Sequence, residues 1–550
     1  MKLELLANEI LLNVFEFLQG VDLLRTFHRL NARFDNLLFI HFRSNYLNFK
    51  SVSKTDFDIV CQQHLPLIFD RIIALRLSEN DETPQQTRCF FAYNITLGQF
   101  THLQSLSLYY ICDNVIMDIM MNTLCQMTSL IHLDIHICPF HFSYINNIWS
   151  LPRLVRFGIL TILHQISWTN VPTIKSLSLQ HLSIQADPDY DFSLERILKY
   201  TPHLRSFRTH LDRDYHSHKQ LSYDALSIES LHLSSDYSHN TLQQLLKHVP
   251  NLTKLIVQTD GKYLDGHIWE KIMTDYLPKL KIFRLNMTFD KRAQIDAEQL
   301  VDEILDTFRT NFWINEHKWF VQCCWKLWRN ENLFYLYTLP HTFSMSTLDD
   351  KWQFKSTNPQ DISYVHPQST CVLSFRCSDI RQLHVSLPLQ DKLWPVISSF
   401  DRLSSISVQS FNDIFYMSQL QALIDKAPRL YSLAFSGKSS PDIAKLTSKS
   451  IRRLDLSDIE TYFNKPACIS LCHSSLGIQC EVLLIQTNDR QNIPYLVKKM
   501  KNLRALCVKC NDKATRCNLS SWLRQRLPLN CSISDEANFA PSVRVQLWIR

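Results

Sequence analysis

Cysteine and histidine side chains, both of which can ligate zinc, gather at three places in this 550-residue chain. The groups are Cys507, Cys510 and Cys517; Cys468, Cys472, His473 and Cys480; and His210, His216 and His218. A structural zinc site usually takes its ligands as two closely spaced pairs. Neither cysteine group has that spacing, and the histidines fit a polar loop, so we predict no metal ion and no cofactor.

A cysteine near a histidine could also act as a nucleophile, and Cys323, Cys324 and His317 offer that combination. A catalytic thiolate needs a base and a third group that orients the base. The sequence around these residues has neither a Gly-rich turn nor such a third group. We therefore predict that the protein has no catalytic residue and is not an enzyme.

Glycine content and charge narrow the function classes further. The chain has only 7 glycines, whereas glycine usually makes up about 7% of a protein. The spaced pair Gly261 and Gly266 is followed by His267, where a phosphate-binding loop needs lysine. The net charge of +6 is too small to indicate a nucleic acid partner.

The hydrophobic pattern favours a location inside the cell. No apolar run reaches the roughly 18 residues of a membrane span. Lys2, Glu4 and Glu9 interrupt the apolar N-terminal stretch, which a secretory signal would not allow. We expect a cytoplasmic and/or nuclear protein without a membrane partner, whose 16 cysteines stay reduced as small buried side chains.

The element that must position any site is a repeated phrase, Leu-x-x-apolar-x-apolar. Clear copies are Leu103/Leu106/Leu108, Leu130/Leu133/Ile135, Leu154/Phe157/Ile159, Ile174/Leu177/Leu179, Leu252/Leu255/Val257, Leu280/Phe283/Leu285, Leu430/Leu433/Phe435 and Leu503/Leu506/Val508. Weaker copies end at Leu77, Thr209, Leu233, Val385, Val408, Leu456 and Ile485. The copies from Leu77 to Leu285 end 20 to 31 residues apart, which predicts a solenoid.

Amphipathic segments precede several of these phrases. Leu242, Leu245, Leu246 and Val249 have helical spacing, and Pro250 then lies two residues before the next phrase. Proline ends the helix and favours an extended segment after it. Each unit is therefore predicted to be a helix followed by a strand, stacked as parallel concave strands and convex helices.

This pattern resembles the leucine-rich-repeat family, in its irregular form with a helix in each repeat. Only Cys138 and Asn511 match the Cys or Asn that the longer family consensus places after the strand. The resemblance implies an α/β solenoid with a first arc over residues 60–290 and a second arc over residues 371–550.

Residues 291–370 interrupt the repeats. Asp296 and Gln299 predict a helix start, and strand-forming runs on either side of residues 330–332 predict an aromatic-rich β-hairpin. The aromatic residues would either form an exposed binding hot spot or dock the hairpin on the solenoid, and docking is the favoured interpretation.

The N-terminus follows a different pattern. Residues 3–40 predict three small amphipathic helices, with Gly20 as a helix stop and Asp22 as the next N-cap. Leu6, Glu9, Ile10 and Leu11, then Val14, Phe15 and Leu18, then Asp22, Leu23 and Leu24 resemble the F-box family, with Ala7 where proline is usual and Phe34 where tryptophan is common.

The F-box resemblance implies that residues 1–48 bind a Skp1-like adaptor and, through it, a cullin. The implied adaptor-binding residues are Leu6, Ile10, Val14, Phe15, Leu18, Leu23 and Leu24. The chain would then be the substrate-recognition subunit of a Skp1–cullin–F-box ubiquitin ligase. Two alternatives remain: the helices could only cap the first repeat, and the repeats could be a protein-interaction scaffold outside the ubiquitin pathway.

Outward strand positions give candidates for target binding, because side chains alternate along a strand. These positions carry an excess of basic residues, of which we select Arg76, Arg156, Arg208, Lys254, Arg284 and Arg453, against the acidic Asp134 and Asp455. Basic side chains on rigid strands suit carboxylate or phosphate groups. An acidic or phosphorylated protein target is therefore expected.

Overall fold

The computed structural model describes residues 3–141, 143–160, 172–185, 194–211, 224–235, 239–261, 263–292, 296–328, 331–339, 353–356, 381–386, 400–409, 416–437, 443–511, 519–536 and 543–549. Its architecture is α/β, with two large and mostly parallel sheets and with helices between many successive strands. No helix in these ranges is both long enough and apolar enough to span a membrane.

The first sheet has thirteen strands, and β1 to β10 lie side by side in chain order, all parallel. They are β1 (Leu47–Asn48), β2 (Ala74–Ser78), β3 (Ser105–Tyr109), β4 (His132–His136), β5 (Arg156–Leu160), β6 (His181–Gln185), β7 (Ser206–Leu211), β8 (Ser230–Ser235), β9 (Lys254–Asp260), β10 (Ile282–Arg292), β11 (Val321–Trp328), β12 (Glu331–Thr338) and β13 (Gln353–Ser356).

The second sheet has eight strands, of which the first six are again parallel and in chain order. They are β14 (Gln382–Ser386), β15 (Ser405–Gln409), β16 (Ser432–Gly437), β17 (Arg453–Ile459), β18 (Val482–Thr487), β19 (Ala505–Cys510), β20 (Ser532–Glu536) and β21 (Val543–Trp548). β21 lies between β19 and β20 and is antiparallel to both, an ending that the repeat pattern did not predict.

The described helices lie before, between and after these strands. They are α1 (Asn8–Phe15), α2 (Gly20–Phe27), α3 (Ala32–Phe42), α4 (Lys54–Ile59), α5 (Gln86–Ala92), α6 (Asn114–Leu124), α7 (Ser143–Trp149), α8 (Leu194–Tyr200), α9 (His239–Lys247), α10 (Gly266–Tyr276), α11 (Ala297–Asp306), α12 (Tyr416–Lys426), α13 (Lys465–His473), α14 (Ser475–Gln479), α15 (Asn492–Lys499) and α16 (Leu519–Arg524).

The repeated apolar residues form the core because the parallel strands pair in phase. Leu75 pairs with Leu106, and Leu106 in turn pairs with Leu133, so each apolar pair stacks on the next. These side chains are fully buried in one continuous cluster with the helices. The residues before, between and after each pair therefore form the opposite side of the sheet, which we call the non-core face.

One repeat was placed wrongly by the sequence pattern. The phrase ending at Leu179 is not a strand, and Ile174 and Leu177 are exposed. The strand is β6, whose core residues are Leu182 and Ile184. Ile184 lies 25 residues after its partner Ile159 on β5 and 25 residues before its partner Thr209 on β7. Even spacing of the strands along the sequence therefore favours the observed register.

The interruption of the repeats extends the first sheet. β11 and β12 form an antiparallel hairpin, β12 also pairs with β10, and β13 pairs with β11. The aromatic side chains Trp313, Trp325, Phe334 and Tyr337 are buried, and Phe334 stacks on Phe289 of β10 with ring centroids 5.2 Å apart. These four residues therefore serve packing, as in the docking interpretation.

An ion-pair cluster joins the first sheet to the second. Asp81, in the loop after β2, lies 2.7 Å from Arg544 and 3.2 Å from Arg453. Glu82 lies 3.0 Å from Arg504 and 3.5 Å from Arg453. Glu82 is only 6% exposed and Arg504 only 8%. We call these five residues the acidic clasp.

The clasp residues are charged because each charge has opposite charges around it. Burial alone would raise the pKa of Glu82, but a hydrogen bond with Ser51 and the guanidinium groups of Arg504 and Arg453 outweigh it and lower that pKa. Burial would lower the pKa of Arg504, yet Tyr431 and Glu82 raise it. Glu82 and Arg504 thus form a buried pair at the centre of the clasp, with both partners ionised.

Apolar contacts accompany the clasp. Trp548 of β21 is fully buried and packs on Phe57 of α4, with ring centroids 5.2 Å apart. The Lys54 ammonium lies 5.8 Å from the centre of the same Trp548 ring. On the second sheet, the non-core residues Val482 and Leu484 are also buried. β21 therefore packs against the first strand–helix units of the first sheet, which we call its rungs.

The clasp predicts that replacing a buried carboxylate destabilises the protein more than replacing an exposed one. Glu82→Gln should lower the free energy of unfolding by about 2 kcal/mol, because it leaves the Arg504 guanidinium buried beside a neutral amide. Asp70→Asn is the matched control, since among the described residues the ion pair of Asp70 is with its exposed neighbour Arg71 at 3.3 Å. The Asp70→Asn substitution should lower the free energy of unfolding by less than about 1 kcal/mol. Urea unfolding at neutral pH measures both, and equal losses would contradict a stabilising clasp.

Candidate functional site

The N-terminal helices pack more closely than the sequence pattern suggested. Gly20 is the first residue of α2, not a helix stop, and α2 begins before Asp22, so both predicted roles were wrong. A Cβ atom on Gly20 would lie 3.0 Å from the Phe42 ring of α3. Glycine therefore allows the start of α2 to approach α3, which is a packing role and not a terminating one.

The apolar core of these helices continues into the first sheet. Leu11 and Phe15 of α1 belong to the same buried cluster as Leu47 of β1 and Leu75 of β2. β1 itself pairs in parallel with β2 as the first rung of the sheet. The helices therefore cover the first rung, as the capping alternative requires, whether or not they also bind a partner.

The structure divides the seven predicted adaptor-binding residues into two groups. Ile10, Val14 and Leu18 are exposed, and Leu6 is half-buried. The other three are fully buried inside the chain: Phe15, Leu23 and Leu24. A fully buried side chain cannot contact a partner without unfolding, so the structure assigns these three to the core of the N-terminal helices.

Sequence reasoning missed the most exposed aromatic residue of this surface. Phe17 is 89% exposed, compared with 49% for Ile10. Val14, Phe17 and Leu18 lie four, seven and eight residues after Ile10, which is helical spacing, although α1 ends at Phe15 and the last two residues lie in the turn after it. We call these four residues the apolar stripe. The spacing of seven from Ile10 could have identified Phe17.

Arg33 of α3 holds the segment that leads into α1. Its guanidinium donates to the backbone carbonyl oxygens of Leu6 at 2.5 Å and Glu4 at 2.6 Å, and its Nε donates to Oδ1 of Asn8 at 2.8 Å. Ala7 has φ −63° and ψ 153°, close to the φ that proline imposes. Alanine therefore adopts the backbone conformation of proline here, and Arg33 supplies three fixing hydrogen bonds.

This contact predicts a local change when Arg33 is replaced. Arg33→Ala should speed deuterium uptake at backbone amides of residues 3–8, because three hydrogen bonds to the segment are lost. Hydrogen exchange followed by mass spectrometry measures it. Arg43→Ala is the control, since Arg43 is exposed at the end of α3. Unchanged uptake in Arg33→Ala would show that the segment is held by other contacts.

The predicted target-binding residues also fall into two groups. Two of them, Arg453 and Arg76, already interact with other side chains of the protein. Arg453 lies in the acidic clasp, so its charge is used within the molecule and it is not available as predicted. Arg76 lies between two aromatic rings, 5.0 Å from the centre of Tyr46 and 5.3 Å from that of Tyr109. Its buried Nε has no hydrogen-bond partner.

The remaining four cations lie along the non-core face of the first sheet. Arg156 and Arg208 are exposed, and Lys254 and Arg284 are half-buried. Arg208 contacts the side-chain amide of Gln185 on the neighbouring strand. In the ranges described above, none of the four forms an ion pair with a carboxylate. They are Arg156 of β5, Arg208 of β7, Lys254 of β9 and Arg284 of β10.

Histidines interleave with these cations and are held neutral. Burial, followed by the charge of Arg156, lowers the pKa of His132 and of His181. Burial, followed by the charge of Arg208, lowers the pKa of His232 to about 4. Nε2 of His232 is buried and has no hydrogen-bond partner. At neutral pH the positive charge of this face therefore comes from arginine and lysine.

The lowered pKa of His232 predicts an acid sensitivity. Because the pKa is below that of an unfolded histidine, about 6.5, protonation favours unfolding, and stability is lost as the pH falls from about 6.5 towards 4. His232→Gln should therefore lose less thermal stability than the wild type between pH 7 and pH 5. His203→Gln, at an exposed turn position, is the control and should behave like the wild type. If His232→Gln lost as much thermal stability as the wild type over this pH range, His232 would not be the source of the acid sensitivity.

The cysteine groups show structural roles where they are described. Burial raises the pKa of Cys323 and of Cys468, which keeps both thiols protonated and unreactive at neutral pH. Nε of Arg544 lies 3.1 Å from Sγ of Cys507. Within the described ranges no three His, Cys, Asp or Glu side chains are placed to hold a metal ion. Three of the sequence candidates lie outside the described residues: His216, His218 and Cys517.

Comparison with known proteins adds no relative: no protein-family model matches the chain, and no curated protein matches its sequence.

Proposed function

We propose that this protein is the substrate-recognition subunit of a Skp1–cullin–F-box ubiquitin ligase. In this proposal the first three helices are an F-box and the two sheets are a leucine-rich-repeat arc. The observation that carries it is the apolar stripe, which stays exposed although inner side chains of the same helices, such as Leu11 and Phe15, are packed into the chain.

An exposed group of large apolar side chains on one path usually marks a docking surface. Ile10 and Val14 lie on α1, and Phe17 and Leu18 lie in the turn directly after it, within the segment whose sequence resembles the F-box. The occupant is then a Skp1-like adaptor, which would cover the stripe and attach the chain to a cullin. Phe15, Leu23 and Leu24 are buried in the core of the N-terminal helices.

In this role the chain makes and breaks no covalent bond. The sheets hold a target protein while the adaptor and cullin place a ubiquitin-charged enzyme near it. Such a scaffold accelerates the reaction by proximity and orientation. The work would take place in the cytoplasm, the nucleus or both.

The second candidate is a repeat scaffold that binds proteins outside the ubiquitin pathway. The observation that favours it is the continuous core of α1 and the first rungs, since capping alone would explain those helices. The same continuity means that deleting the helices would expose core residues such as Leu75. Point substitutions on the stripe therefore separate the candidates better than a truncated chain.

The decisive variant is Ile10→Asp combined with Leu18→Asp. Both positions are exposed, so the fold should survive, but each carboxylate would be buried unpaired against the adaptor at a cost of several kcal/mol. Affinity for a purified Skp1-like adaptor, measured by calorimetry, should fall more than about hundredfold.

Val115→Asp is the matched control for this variant. Val115 is also an exposed apolar residue, on α6 and away from the stripe, so its substitution should leave adaptor affinity unchanged. If the wild-type chain does not bind the adaptor, or if the stripe variant binds it as well as Val115→Asp does, the ligase proposal fails and the scaffold candidate takes its place.

A further inference from the structure

The two sheets use the basic residues of their non-core faces differently. On the second sheet, Arg453 and Arg544 bind the carboxylate of Asp81, which belongs to a loop of the first sheet. On the first sheet, Arg156 occupies the same first strand position as Arg453 but has no carboxylate partner within the described ranges. The clasp thus shows within one chain what such an arginine binds.

From this contrast we propose that the non-core face of β5 to β10 binds an acidic, glutamate- or aspartate-rich segment of a partner protein. The binding residues are Arg156, Arg208, Lys254 and Arg284. That the partner is the target of a ubiquitin ligase rests on the function proposed above; the binding chemistry does not depend on it.

The spacing of three cations fits an extended segment that runs across the strands. Arg156, Arg208 and Lys254 stand on β5, β7 and β9, which are alternate strands. Strands lie about 4.8 Å apart, and Arg208 lies two residues further along its strand than the row shared by Arg156 and Lys254, so successive cations are about 12 Å apart. Three residues of extended chain span about 10 Å, and the long side chains of arginine, lysine and glutamate cover the remaining distance of about 2 Å. An acidic residue at every third position would therefore meet one cation after another.

Small residues and neutral histidines lie between the cations. The small residues are Gly158 on β5, Ser183 on β6, Ser206 on β7 and Ser230 on β8, and the histidines include His181 and His232. The described strand positions of this face on β5 to β8 carry no carboxylate. A Cβ atom on Gly158 would lie 2.4 Å from a carboxylate oxygen of Asp134, so Asp134 marks the negative boundary of the surface at β4.

Separated cations favour carboxylates over a single phosphate group. A phosphate is held best when several donors converge on one point, whereas Arg156, Arg208 and Lys254 stand on alternate strands. In the clasp, Asp81 and Glu82 are likewise two separate carboxylates, with Arg453 shared between them. The surface therefore suits repeated single negative charges.

Fluorescence anisotropy with labelled peptides and the full chain tests the proposal. The probe has glutamate at every third position, and the comparison peptides carry the same glutamates in one block, glutamine in their place, or one phosphoserine. We expect the spaced probe to bind more tightly than any of the comparison peptides. Its binding should weaken as the salt concentration rises. Arg156→Gln with Arg208→Gln should weaken it about tenfold, as two exposed ion pairs are lost.

Arg153→Gln is the matched control, because Arg153 is exposed in the turn before β5 and outside the non-core face. It should leave the affinity for the spaced probe unchanged. The proposal is overturned if the block peptide or the phosphoserine peptide binds as tightly as the spaced probe, or if Arg153→Gln weakens binding as much as the double variant.

Adaptor affinity measured on the same preparations keeps the two proposals apart. If the probe binds as expected but the adaptor does not, the acidic-segment surface stands and the ligase function falls. If the adaptor binds but the spaced probe does not, the surface falls and the ligase function stands.

Discussion

The acidic clasp is the interaction on which the arrangement of the chain depends. Glu82 and Arg504 are buried, and Asp81, Arg453 and Arg544 are partly buried around them; buried charges are tolerable only when each keeps a partner. Asp81 and Arg453 are 372 residues apart in sequence. Because of this contact, the rungs that begin the first sheet and the strands that end the second pack against each other, with Trp548 seated on Phe57 beside them. The non-core faces of the two sheets therefore differ, since one is occupied by the chain itself and the other retains cations without carboxylate partners.

The N-terminal helices have an inner side that covers the first sheet and an outer side that, in the function proposed above, binds an adaptor. Their inner side chains, such as Leu11 and Phe15, belong to the core of the first rungs, which is what a cap provides. Their outer side is the apolar stripe, in which Phe17 is 89% exposed. Arg33 fixes the segment that leads into α1 through main-chain oxygens, and the first two stripe residues, Ile10 and Val14, lie on that helix. A cap with one apolar side left over is a reasonable base for an adaptor-docking module.

Particular residues show where prediction from sequence succeeded and where it stopped. The alternation of strands correctly placed Arg453 and Arg156 on the same side of their sheets, because alternation depends only on neighbouring residues. It could not show that Arg453 meets Asp81, because that contact depends on how two distant segments pack. The helical pattern selected Phe15 and Ile10 alike as apolar positions, but only packing against the rest of the chain buries one and exposes the other. The strand at β6 was misplaced because two overlapping apolar phrases fit the local pattern, and the neighbouring strands select the one that spaces the rungs evenly.

The sequence by itself determined the repeating strand unit, the interruption of the repeats and the separate character of the first forty residues. These follow from local rules, since the two-residue period of a strand, the helical period and the effect of proline on a helix act over a few adjacent residues. Only the tertiary structure decided which apolar residues stay exposed, which arginines are already paired and how the second sheet ends. Burial and charge pairing act between residues that the chain brings together from hundreds of positions apart, and no short stretch of sequence contains both partners.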